Sequence, residues 1–234
     1  MSVIVPAFNE EKLLGESLRH IQTAMTAFSS PGWDSELIVC DNNSTDRTAE
    51  IARQAGATVV FEAVNQISRA RNAGAAAASG DWLVFVDADS FPTRELFAEL
   101  AGAIAAGRCI GGGATVRFDE ADRSARAAVA VWNAISRSMR WAAGSFVFCQ
   151  AAAFRKIGGF STELYASEEI DFSRRLKRLG ALEILSRHPL RTSGRKTRLY
   201  SKREYLALLL RIVLSGGRAL RSRDACFAWY DGRR

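Results

Sequence analysis

Short runs of consecutive apolar residues, each followed by a helical stretch, constrain this chain more than any other feature of its 234 residues. Val3-Ile4-Val5, Glu36-Leu37-Ile38-Val39-Cys40, Ala57 to Phe61 and Trp82 to Val86 are such runs. Apolar side chains on successive strand positions leave neither face fit for water. Between the first two runs, Leu14, Leu18, Ile21, Met25 and Phe28 recur at spacings of 4, 3, 4 and 3, one face of a helix. Ser44-Thr45-Asp46 offers cap residues for a helix to about Gln54. Ser68 to Ser79, rich in alanine and stopped by Gly80, predicts a third helix, and Thr93 to Ala106 a fourth. A β-α-β-α order of this kind calls for an α/β fold, a Rossmann-like and mostly parallel sheet flanked by helices.

The second half reads differently. Gly111-Gly112-Gly113 breaks the rhythm, Ser124 to Ala143 predicts a longer helix, and Ser145 to Cys149 a strand. After the turn Gly158-Gly159-Phe160, Glu168 to Leu179 reads as helix and Leu182 to Leu185 as a last strand. With 48% hydrophobic and 24% charged residues the chain has ample material for a core. Its net charge of +7 is unevenly placed: from Arg191 onward, twelve Lys and Arg face three acids, leaving the rest near −2. The expected organisation is one domain over 1–195, with a first half to 110 and a second from 111, followed by a basic helical extension over 196–234.

Cys40, Cys109, Cys149 and Cys226 form no CxxC pair, which argues against a zinc knuckle and a disulfide framework. The run Leu206 to Leu214 contains Arg211 and falls short of the ~20 residues a bilayer span needs. A soluble protein of a reducing compartment, the cytoplasm, is expected. No GxGxxG follows the first strand, and no aromatic-basic interleaving suggests a nucleic-acid partner.

Ligands of open α/β sheets bind beyond the carboxyl ends of the strands. There the chain places Asn9 and Glu10, then Asp41, then Asp87 and Asp89. Acids at three strand ends point to chemistry more than to turns. Pro6-Ala7-Phe8-Asn9-Glu10-Glu11, Asp41 to Asp46, Ser68-Arg69-Ala70-Arg71-Asn72-Ala73-Gly74, Asp87-Ala88-Asp89 and Glu168-Glu169-Ile170-Asp171 together resemble family 2 glycosyltransferases of the GT-A fold. The likeness covers roughly residues 2–195.

That resemblance implies transfer of a sugar from a nucleotide-diphosphate sugar, UDP ahead of GDP or dTDP, to a hydroxyl acceptor that could be lipid-linked. Asp87 and Asp89 match the DxD motif, with Ala88 between them, and imply a divalent metal, Mn2+ or Mg2+, whose charge offsets that of the leaving diphosphate. Asp41 falls where the family holds the base, and Arg71, with Arg69 as rival, where it grips base or phosphate oxygens. Asn9 and Glu10 join the nucleotide side, and Pro6 and Ala7 shape its turn. Glu169, in place of the usual aspartate, is the expected general base of an inverting reaction, with Glu168 its rival. His188 is a further candidate metal ligand, while Arg191, Ser193, Arg195 and Lys196 are alternatives for closing over the diphosphate. The basic stretch around Tyr205 to Leu214 either packs on the body or makes peripheral contact with an anionic membrane. Outside this reading stand a nucleotidyltransferase of related fold and a sugar-nucleotide-binding protein without transferase activity.

Overall fold

The structure is a computed structural model and describes residues 1–119, 122–194, 204, 211, 215–226 and 230. Its centre is an eight-stranded sheet in the order β3-β2-β1-β4-β7-β6-β8-β5. Strands β1 (Ser2–Ala7), β2 (Glu36–Asp41), β3 (Thr58–Phe61) and β4 (Trp82–Val86) are mutually parallel, as the apolar runs predict. The register pairs Ala7 with Asp41 and Asp41 with Phe61, so β1, β2 and β3 end level. Strand β7 (Phe146–Gln150) lies antiparallel to β4, with Val86 opposite Phe146. Its start therefore sits at the edge where β4 ends.

Alternation along β1 divides the core. Val3 and Val5 face the cluster built by α1 (Leu14–Met25) and α4 (Arg94–Ala105), with Leu18, Ile21, Phe97 and Leu100. Ile4 faces the other cluster, where Phe85, Phe154, Phe160 and Phe172 gather. Phe160 stacks on Phe172 at 4.3 Å and meets Phe85 edge-on at 5.1 Å. Each such fully buried ring contributes roughly 1.5–3 kcal/mol relative to exposure. Helix α2 (Thr48–Gln54) covers β2 and β3, and α3 (Ile67–Ala76) crosses β1 and β2. A Cβ at Gly74 would come within 2.5 Å of Ile4, so glycine lets α3 settle directly on β1.

The glycine triplet is a strand and not a break. Gly111-Gly112-Gly113 opens β6 (Gly111–Phe118), which lies between β7 and β8 (Leu182–Thr192). A Cβ at any of the three would approach within 3 Å of neighbouring backbone or side chains. Close approach, which only glycine permits, is the reason for the composition. The last strand runs to Thr192, past the expected Leu185, with an irregularity between Ala114 and Val116 in its pairing to β6. The two-residue β5 (Ser90–Phe91) pairs with its end. Three helices complete the second half: α5 (Arg123–Met139), the unforeseen α6 (Ala151–Lys156), and α7 (Glu168–Leu176).

The stretch Tyr205 to Leu214, expected as helix, lies outside the described residues apart from Arg211. Farther on, a short 3-10 turn at Arg218–Arg221 packs on the body, where the Tyr165 N–H donates to the Leu220 carbonyl at 2.8 Å. Among the described residues no helix is long and apolar enough to cross a membrane.

Candidate active site

Just past the ends of β1 and β4 a pocket opens, lined by Pro6, Ala7, Phe8, Glu10, Asn42, Asn65, Ile67, Asp87, Ala88, Asp89 and Tyr230. The turn after β1 is held by Asn9, whose φ of 51° lies in the left-handed region that asparagine tolerates. Its Oδ1 accepts from the Thr45 N–H at 2.8 Å, tying the turn to the start of α2. Asp46 serves the same junction, accepting from the N–H groups of Glu11 and Thr48. Asp41 is buried, and its Oδ1 accepts from the Ser44 N–H at 3.0 Å, an Asx turn. Asn9 and Asp41 are thus absent from the pocket lining, whereas Asn42 is on it. The Asn42 amide donates to the carbonyls of Glu62 and Val64 and accepts from the Gln66 N–H.

Behind Asp87 lies a buried ionic cluster. Arg71, only 1% exposed, reaches from α3 to three partners. Its Nη1 donates to Glu168 Oε1 at 2.6 Å, while its Nη2 donates to Asp87 Oδ1 at 3.0 Å and to the Gly144 carbonyl at 2.7 Å. Its guanidinium also stands over the Phe160 ring, 5.2 Å from the centroid. Burying a guanidinium is costly unless its charge and donors are met. Here the charge and both terminal nitrogens are met by Asp87 just past β4, the Gly144 carbonyl in the loop before β7 and Glu168 of α7, while Nε is buried without a hydrogen-bond partner among the described residues. Arg69, the rival arginine, instead donates to Gln66.

Helix α7 begins at Ser167, a non-glycine residue with φ of 60°. Glu168, Glu169 and Asp171 occupy its first turn, where the helix dipole favours negative charge. Glu168 is 4% exposed and bound to Arg71, whereas Glu169 keeps part of its surface open. A Cβ at Gly144 would lie 3.4 Å from Arg71 Nη2 and 3.6 Å from Glu169 Cδ, so the loop backbone runs along both side chains. Burial, then the nearby Glu168 carboxylate, pushes the Glu169 carboxyl well above the ordinary 4.5, against the opposing pull of Arg71.

Asn72 joins the remaining motif. Its side chain donates to the Phe160 carbonyl and accepts from the Phe160 N–H, both at 2.9 Å. One turn of α3 therefore fixes the acid-bearing strand end, the Gly158-Gly159-Phe160 turn and α7 together.

His188 does not join these residues. Strand β8 carries it to α4, where its Nδ1 lies 3.1 Å from Glu99 Oε2 and its backbone N–H donates to the same carboxylate. Arg191 stacks on Phe91 at 4.7 Å, and the Ser193 N–H donates to the Asp89 carbonyl at 3.0 Å. Arg195 and Lys196 lie outside the described residues. Among the described residues, no three His, Cys, Asp or Glu side chains converge to hold a metal. Asp87 and Asp89 supply hard oxygen donors, a set that suits a cation completing its shell with phosphate oxygens and water. The sequence reasoning missed Asn65, Ile67 and Tyr230. Tyr230 reaches the pocket from the basic end of the chain, its hydroxyl 3.5 Å from the Ile67 N–H. No local pattern marks it.

A family model described as glycosyl transferase family 2 matches residues 2–160, from β1 through the Gly158-Gly159-Phe160 turn. The chain belongs to glycosyl transferase family 2. Among curated relatives, glycosyltransferase AglE of Haloferax volcanii is 36% identical over 101 residues, 41% of this chain and 32% of that protein. An undecaprenyl-phosphate 4-deoxy-4-formamido-L-arabinose transferase of Edwardsiella ictaluri is 33% identical over 129 residues, 52% of this chain and 38% of that protein. The chain spans less than half the length of these relatives. Among solved structures, residues 1–349 of S. aureus TarS in complex with UDP-GlcNAc give a TM-score of 0.65 at 20% identity, covering 91% of this chain and 65% of that one. Mannosyltransferase PcManGT from Pyrobaculum calidifontis, in complex with GDP-Man and Mn2+, gives 0.67 at 21% identity, covering 96% and 63%. At such identity the structures establish the fold, and that fold is GT-A.

Proposed function

We propose that this family 2 domain transfers a sugar from a nucleoside-diphosphate sugar to a hydroxyl acceptor, with inversion at the anomeric carbon and with a divalent cation bound. The observation that carries the reading is the Arg71 bridge, which locks Asp87 at the pocket and Glu168 on α7 into one unit. The pocket at the ends of β1 and β4 takes the nucleotide, with Pro6, Ala7, Glu10 and Asn42 around it. Asp89, with Asp87 beside it, holds Mn2+ or Mg2+, which when bound neutralises charge on the diphosphate leaving group. UDP-GlcNAc in TarS and GDP-Man with Mn2+ in PcManGT are the donors found in neighbours of the same fold.

Glu169 is the general base. Its partner Glu168 is committed to Arg71, while Glu169 is part-exposed and held at a raised affinity for protons. As the acceptor oxygen forms its bond to the anomeric carbon, the hydroxyl proton passes to Glu169. The bond from that carbon to the diphosphate breaks, and the nucleoside diphosphate departs. Arg71 and Glu168 are positioning residues that hold the two acids in register.

Thermal-shift titration with UDP-, GDP- and dTDP-sugars, each with and without Mn2+, tests the reading, because stabilisation follows binding to the folded state. One donor class is expected to raise Tm with Mn2+ present, and Asp89→Asn to abolish the metal-dependent part. No shift with any nucleotide sugar, or an Asp89→Asn variant as responsive to Mn2+ as the parent, overturns it.

A further inference from the structure

The pocket past β1 and β4 encloses about 80 Å³, whereas clefts that take small-molecule ligands run to roughly 300–1,000 Å³. A nucleoside diphosphate therefore enters only if part of the wall gives way. Most of the wall is pinned. Pro6 and Ala7 belong to β1 and pair with Cys40 and Asp41 across the sheet. Asp87 is held by Arg71 and by its own N–H, which donates to the Ser145 carbonyl at 3.2 Å. Asn42 commits its side-chain amide to the backbone of Glu62, Val64 and Gln66.

Tyr230 is held differently. Among the described residues its one hydrogen bond joins its hydroxyl to the Ile67 N–H, at a long 3.5 Å. Its ring meets Tyr165 edge-on at 5.5 Å and lies under the Arg223 guanidinium at 5.7 Å. Arg223 is exposed, and it donates to Asn65, another residue of the wall, at 3.3 Å. The chain just before this point is secured, with Ala225 and Cys226 only 1% and 0% exposed and the Leu220 carbonyl accepting from the Tyr165 N–H at 2.8 Å. An anchored arm thus ends in a loosely held ring.

We infer that Tyr230 plugs the pocket of the unliganded protein and that a nucleoside diphosphate displaces it on binding. The inference rests on the reading of this pocket as the nucleotide site. The Ile67 N–H stands at the start of α3, where a helix leaves its first donors without partners of its own, so a nucleotide oxygen can take the place of the tyrosine hydroxyl. Tyr230 lies beyond residues 2–160, so the family match does not supply the plug. Only the open fraction of the molecules binds, and the apparent affinity is lowered by that fraction.

Isothermal titration calorimetry with UDP, GDP and dTDP, each with Mn2+, tests this on the parent, Tyr230→Ala and Arg223→Gln. The nucleotide that binds should bind Tyr230→Ala about tenfold more tightly than the parent, as for a pocket open about a tenth of the time. Arg223→Gln should show part of that gain. Because Arg223 is exposed, its variant reads the same displacement without removing a buried group. Equal affinity in all three proteins overturns the inference and leaves the nucleotide reading standing. Weaker binding by Tyr230→Ala also overturns it, since the tyrosine would then be a wall of the occupied site. Failure of the parent and both variants to bind any of the three nucleotides removes the reading of the pocket, and the inference with it.

Discussion

Within its ten residues helix α3 buries Ser68, Ala70, Arg71 and Gly74, whereas α5, at 17 residues, buries Ser136 alone. Both are alanine-rich and both carry arginines. In α3 an arginine disappears into the molecule because Asp87, just past β4, and Glu168 of α7 converge on it. In α5, Arg123, Arg126 and Arg137 are exposed and form no ion pair among the described residues. The fate of a cationic side chain is thus set by what the rest of the fold presents to it. Where charge is buried and paired, removing one partner is costly, and where it is exposed, little is lost.

The largest effect is expected at Arg71. Arg71→Ala leaves Glu168 buried without its partner and should cost about 3–5 kcal/mol, a large part of a typical domain's stability. Chemical denaturation should show this as a lower midpoint, and sugar transfer should vanish with it. A variant as stable as the parent would erase the contrast between the two helices.

Next comes Glu169→Gln, which should lower kcat by about 10²–10⁴-fold, the range for loss of a general base. Donor affinity should be unchanged, because the parent cluster around Arg71 remains. In the parent, kcat/KM should rise with pH and reach half its plateau above 4.5, the ordinary glutamate value, since the carboxyl must lose its proton to act. The linked stability effect has the opposite direction. The folded state binds this proton more tightly than the unfolded chain, so above pH 4.5 this group's contribution to stability falls until the raised folded value is passed. Glu169→Gln should remove that slope, which denaturation across the same pH series would show. A rate profile flat from pH 4.5 upward would exclude Glu169 as base.

The smallest effect sharpens the contrast from the other side. Arg126→Ala on α5 should change stability by less than about 0.5 kcal/mol, as for a surface residue without buried partners. A loss comparable with that of Arg71 would mean that α5 is packed more tightly than its exposure indicates.

The sequence alone determined the parallel half of the sheet. Its strands are apolar runs, and local patterning suffices in β1, β2 and β4, where nearly every residue is buried, while β3 at the sheet edge keeps the apolar run although Thr58 and Phe61 are exposed. Strand ends locate the ligand edge of such a sheet and pointed to Glu10, Asp87 and Asp89, which line the pocket, and equally to Asn9 and Asp41, which do not; Pro6, Ala7 and Ala88 came from the family resemblance. Only the tertiary structure decided that Gly111-Gly112-Gly113 is an inner strand, because the close approach of β7 and β8 is invisible in a run of glycines. It also gave the paired candidates different surroundings. Arg71 and not Arg69 enters the core, and Glu168 and not Glu169 is tied to it. It placed His188 against Glu99, and Tyr230 beside Ile67 at the pocket. Each of these depends on contacts between residues tens of positions apart, and neighbours along the chain carry no record of where such contacts fall.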